Sequence, residues 1–185
     1  MRAAPGNDAL IWHTQAWLRD VIIKHNFCPF AKREYDKGGV HYAVIETAEV
    51  QAQLDQILLH CAQLDKTETR ETSLLIFPAS LSDFEDYLDV LHLANMALTE
   101  QGYDSIYQLA SFHPDYRFDG APDDDPANYT NRSPYPMIHI LREASVALAV
   151  KNHPDPEGIS ERNIRVARKF GLKAMRDMLA RCLDK

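Results

Sequence analysis

The 185-residue sequence is poor in the features that mark several protein classes. It has no C-x-x-C pair. Its three cysteines, Cys28, Cys61 and Cys182, are odd in number and widely spaced, which is a poor disulfide framework. Positive charge is in deficit: 20 Lys and Arg against 27 Asp and Glu give a formal charge of −7. A nucleic-acid partner is therefore not expected, because a phosphate backbone demands a surplus of basic groups. No run approaches the roughly 20 apolar residues of a membrane span. The opening residues Met1 to Gly6 lack the apolar stretch of an export signal. These absences predict a soluble protein of a reducing, cytoplasmic compartment. No internal repeat or low-complexity segment is visible. What remains is an average globular composition, 45 % hydrophobic and 25 % charged, which excludes disorder as the state of the whole chain.

Periodicity predicts a single α/β domain over residues 1–185. Asp8 is placed to cap a helix through about His25, and Asn26 suits its end. Val40 to Ile45 reads as a strand, about Ala48 to Leu64 as a helix with Cys61 on its apolar stripe, and Ser73 to Phe77 as a second strand. Ser82 and Glu85 have capping-box spacing before a helix that ends at Gly102, and Ser105 to Phe112 reads as a third strand. This alternation predicts a sheet of at least three mainly parallel strands covered by about five helices. Residues 113–136 then hold five of the ten prolines, the run Asp123-Asp124-Asp125 and an aromatic density unlike that of a solvated linker. They are expected to form an ordered, functional loop. Pro136 is expected to open a helix over Met137–Val150, buried nearly all round, and a last helix is expected from Ser160. That last segment carries eight basic and three acidic residues, the pattern of a solvated face.

The candidate chemistry follows from this layout. In parallel α/β sheets, ligands bind beyond the carboxyl ends of strands, which is where His113 stands. On a helix from Met137, the residues His139, Arg142 and Glu143 share one face. The candidate catalytic residues are His113 and His139 for proton exchange, Glu143 to orient a neighbour, and Cys28 as a nucleophile. Candidate substrate-binding residues are Arg132 and Arg142, which suit a carboxylate or phosphate, with Asn128, Asn131 and Tyr135. Cys28 precedes Pro29, so it is placed either to cap a new helix, where its thiol is activated, or to lie between Phe27 and Phe30 as packing. The Asp123 to Asp125 run has no EF-hand spacing and reads as a solvated turn.

Four segments carry a family resemblance: Cys28-Pro29-Phe30-Ala31, Ala110-Ser111-Phe112-His113-Pro114-Asp115-Tyr116-Arg117-Phe118, Asn128 through Pro136, and His139-Ile140-Leu141-Arg142-Glu143-Ala144-Ser145. Together they resemble the bacterial domain-of-unknown-function family 1415 over nearly the whole chain. The resemblance implies a bacterial, cytosolic protein and supplies no activity. The residues themselves point first to an enzyme acting on a small anionic metabolite. One alternative is a zinc-dependent hydrolase using Cys28, His113 and His139 as ligands. The other is a non-enzymatic anion-binding or adaptor module. Cofactor and oligomeric state are left open.

Overall fold

The computed structural model describes residues 5–184. Helix α1 (Asn7–Trp17) runs on without interruption into a π-helical segment, Leu18–Ile23. The chain leaves it at Asn26, whose φ of 55° is the left-handed conformation that asparagine tolerates. Then come α2 (Ala31–Asp36), β1 (Val40–Val44), α3 (Val50–Lys66), β2 (Thr72–Ile76), α4 (Phe84–Glu100) and β3 (Tyr107–Phe112). A 3-10 turn, Pro126–Thr130, interrupts the long loop before β4 (Met137–Arg142), α5 (Glu143–Asn152), α6 (Gly158–Phe170) and α7 (Leu172–Leu183). Among the described residues no helix is long and apolar enough to cross a membrane.

The four strands form one mixed sheet in the order β1-β2-β4-β3. β1 and β2 are parallel, whereas β4 is antiparallel to both of its neighbours. The expected mainly parallel sheet is thus corrected to one parallel pair and two antiparallel pairs. The crossover through α4 places β3 two strand positions from β2, and the returning β4 fills the gap. The expected helix over Met137–Val150 is also corrected. Residues 137–142 are a central strand, and the helix begins only at Glu143. A strand covered on both faces is apolar almost throughout and does not alternate, so its period is ambiguous on its own. Ile138 and Ile140, both β-branched and fully buried, are the local signal for strand.

Helices pack on both faces of the sheet, giving two cores. One joins Leu74, Ile76 and Met137 to Trp17 and Val21 of the first helical run and to Met175 of α7. The other joins Leu75, Ile138 and Ile140 to Ile57 and Cys61 of α3 and Tyr87 of α4. Cys61 and Cys182 lie in these cores, as their helical spacing predicts. α5 buries no residue at all, against the expectation of a helix enclosed on every side.

Caps differ in detail from the sequence expectation. Asp83, not Ser82, caps α4, accepting from the backbone N–H groups of Glu85 and Asp86. Gly6 occupies the cap position of α1, and Asp8 lies in its first turn. Gly102, at φ 72°, ends α4 as expected. The C-terminal segment is two helices broken at Gly171, whose φ of 80° is open to glycine and strained for other residues. Its basic residues do more than face solvent. Arg162 donates to the carbonyls of His25 and Asn26, and Arg168 pairs with Asp125 at 2.7 Å. Asp125 in turn caps the 3-10 turn through the Ala127 N–H. The C-terminal helices therefore clamp the 113–136 loop onto the body of the protein.

Candidate functional site

The loop is built by side chains bonding to backbone. His113, at the exit of β3, is completely buried. Its Nδ1 accepts from the Asp115 N–H at 3.0 Å, so Nε2 carries the proton and donates to the Leu81 carbonyl at 2.9 Å. Leu81 sits at φ 60°, a strained conformation for a leucine, and His113 holds its carbonyl in place. Burial lowers the His113 pKa, so the ring is neutral at pH 7. The Asn128 carboxamide spans the loop: Oδ1 accepts from the Phe118 N–H, and Nδ2 donates to the Pro122 carbonyl. Asn131 Nδ2 donates to the Ser111 carbonyl. Arg132 sends Nε to the Tyr116 carbonyl and Nη2 to the Asp123 carbonyl, both at 3.0 Å, with its guanidinium over the Tyr129 ring.

This frame holds open two adjoining clefts beside the N-terminus of α4. The larger, about 780 Å³, is walled by Phe84 and Leu88 on one side and by Tyr116, Phe118 and Pro122 on the other. The smaller, about 330 Å³, is lined by Asp83, Asp115, Asp123 and Arg132. Phe84, Glu85 and Arg117 line both. The aromatic walls touch one another: Phe84 and Tyr116 have ring centres 5.4 Å apart, and Phe118 meets Tyr116 edge-on at 5.0 Å. His113 packs behind Phe84 at 5.1 Å, inside the wall and not on its surface.

Most of the other residues singled out in the sequence lie elsewhere. His139 faces the opposite side of the sheet from His113: it lies near Phe112 on the Trp17 side, while His113 packs on Phe84 and Tyr87 of α4. Its Nε2 donates to Thr72 Oγ1, whose hydroxyl donates on to the Ile140 carbonyl. Burial pulls the His139 pKa down to about 4. Arg142 lies at the far end of the sheet, donating to the carbonyls of Leu64 and Arg70 and stacking near Tyr107. Glu143 begins α5 and uses its N–H on the Ile106 carbonyl. The common helix face expected for His139, Arg142 and Glu143 does not exist, because the first two belong to a strand. Tyr135 bonds its hydroxyl to His13 Nδ1 at 2.7 Å, on α1.

Cys28 packs against the core on the α1 side, just before α2, whose cap position is held by Phe30. Burial raises its thiol pKa, outweighing the backbone N–H groups of Phe30 and Ala31 that favour the thiolate. Slow alkylation of Cys28 is the expected result at pH 7.5, as it is for Cys61, whose pKa is pushed up to about 12. Peptide mass spectrometry of a timed iodoacetamide reaction checks this, and rapid labelling of Cys28 alone would contradict it.

Of the nine candidate residues, the structure brings only Arg132 to the surface of the clefts, with His113 and Asn128 as supports behind it. The residues missed are Asp83, Glu85, Asp115 and Arg117, with Phe84 for the wall. The aromatic density of the loop marks the neighbouring Tyr116 and Phe118, whereas the charged residues carry no comparable signal. Among the described residues, no group of three or more His, Cys, Asp or Glu is placed to hold a metal ion. The three-ligand set of Cys28, His113 and His139 is not assembled, because His113 faces away from the other two.

No curated protein and no solved structure matches this chain. Residues 9–177 match the family described as "Protein of unknown function (DUF1415)". With nearly its whole length inside that match, and with the motifs that frame the loop included in it, the chain belongs to the DUF1415 family.

Proposed function

We propose that this protein binds a small molecule with a flat or apolar body in the paired clefts at the carboxyl end of β3. The observation that carries the reading is the aromatic wall of Phe84, Tyr116 and Phe118, held open over buried, fully bonded polar supports. Pockets of this kind, apolar walls with a few fixed polar groups, are the usual form of a small-molecule site. The enzyme reading of the sequence moves with the site. Any proton transfer there falls to Asp115 or Glu85, because both nitrogens of His113 are engaged by backbone. This reading keeps the bacterial, cytosolic setting that the family resemblance implies. The adaptor alternative is weakened, since Arg162 and Arg168 of the basic C-terminal segment are used internally.

The test is a titration of isotope-labelled protein with small aromatic fragments of positive, zero and negative charge. Shifts concentrated at residues 84–88 and 115–123 are expected, with Tyr116→Ala weakening the best fragment by about tenfold, as loss of one stacking face implies. Shifts concentrated instead around Cys28 and His139 would move the site to the other face of the sheet.

A further inference from the structure

The electrostatics of the clefts sharpen that reading and oppose the anionic ligand expected from the sequence. Five carboxylates line them, those of Asp83, Glu85, Asp115, Asp119 and Asp123, against the two guanidinium groups of Arg117 and Arg132. Arg132 is fixed at the edge of the smaller cleft, its Nε and Nη2 donating to the Tyr116 and Asp123 carbonyls, which leaves the carboxylates in excess. His113 adds no charge at pH 7. The N-terminus of α4 would ordinarily attract an anion, but the Asp83 carboxylate already accepts from the N–H groups of Glu85 and Asp86 there. One cation does sit in the cleft: the Arg117 guanidinium lies 2.8 Å from Asp123 and 3.6 Å from Glu85. Both pairs are open to solvent, so Arg117 is weakly held and displaceable.

We infer that the clefts take an organic cation, an amine or quaternary ammonium on an apolar or aromatic body, whose charge replaces the Arg117 guanidinium between Glu85 and Asp123. The inference rests on the small-molecule reading above. The neighbouring faces of Phe84, Tyr116 and Phe118 suit such a ligand twice over, since aromatic faces attract cations as well as apolar groups. Arg117 then acts as a built-in competitor. That role has a distinctive consequence, because removing a positive charge from the site strengthens binding of the ligand.

Calorimetric and NMR titrations with phenyltrimethylammonium and with phenylphosphonate test this on the wild type and on Arg117→Gln. An exposed side chain is changed, so folding is unaffected, and a circular-dichroism spectrum verifies it. The expected result is that the ammonium probe binds roughly tenfold tighter than the phosphonate in wild type. Arg117→Gln should tighten the ammonium probe by about threefold or more, and Glu85→Gln should weaken it by a similar factor, with added salt weakening it in every case. Tighter phosphonate binding that Arg117→Gln abolishes would make Arg117 an anion clamp and overturn the inference, leaving the cleft as the site. Equal binding of both probes, indifferent to either substitution, overturns it as well. If neither probe shifts residues 84–88 or 115–123, the cleft reading itself falls.

Discussion

Replacing His113 by alanine is expected to cost about 3–5 kcal/mol of stability, combining loss of a fully buried ring with two backbone groups left unbonded. The ring packs against Phe84 and Tyr87, and its two nitrogens bond the Leu81 carbonyl and the Asp115 N–H. For a chain of this length the melting temperature should fall by roughly 6–20 °C. The effect should be local as well as global. Leu81 is held at positive φ by that bond, and the same histidine's backbone N–H and carbonyl tie β3 to Asn131 and Ser133. Hydrogen exchange at residues 81–86 and 115–123 should therefore rise before the rest of the protein opens. Denaturant unfolding of His113→Ala is the check; a loss below about 1 kcal/mol would mean the loop stands without this support.

Acid should destabilise the protein well before its carboxylates titrate. Burial lowers the pKa of His25, His41, His60, His113 and His139, with His60 and His139 reaching about 4. His60 is further disfavoured as a cation by His41, whose ring is 5.6 Å away, and by Arg70. Each of these rings is neutral in the folded state over a range where the unfolded chain already binds a proton, near pH 6.5. The stability they contribute is therefore full above that pH and is lost as pH falls toward the folded pKa values. For His139, which is only partly buried, the span corresponds to at most about 3 kcal/mol before solvent screening, and His60, 6 % exposed, contributes on a similar scale. The lowered pKa values of Asp125 and Asp177 act in the same direction but only at more acidic pH. Unfolding free energy measured from pH 7 to 4.5 should fall by several kcal/mol, and His139→Gln should flatten the slope. A flat profile over that interval would show that these rings are not shielded from solvent as described.

Much of the architecture was legible wherever one physical signal dominated. Asn26 and Gly102 mark helix ends because left-handed backbone restricts residue choice, and both ends are observed there. Cys61 sits on a one-sided apolar stripe and is fully buried. Residues 137–142 misled because a strand enclosed on both faces and a buried helix write the same apolar run, and only Ile138 and Ile140 argue for strand. Reading a helix in place of that strand also creates the apparent His139, Arg142 and Glu143 face. The loop is legible as ordered through its aromatics, and the polar residues expected to meet a ligand bond largely to backbone in the structure. Asn128, Asn131 and His113 hold the loop's shape because a long irregular segment has few ladder bonds to satisfy its own N–H and carbonyl groups. The residues lining the cleft, Asp115 and Arg117 among them, are interleaved with these braces, and sequence order alone does not separate the two sets.

On the proposed reading, small molecules meet this protein at the α4 side of the loop, and not at the histidine on the opposite face of the sheet. Titrating the best-binding fragment of the charged and neutral aromatic set into Tyr116→Ala and into His139→Gln tests it most directly. Affinity is expected to fall by about tenfold in the first variant and to stay unchanged in the second, with shifts confined to residues 84–88 and 115–123. Affinity retained by Tyr116→Ala and lost in His139→Gln would contradict it and place the site beneath α1.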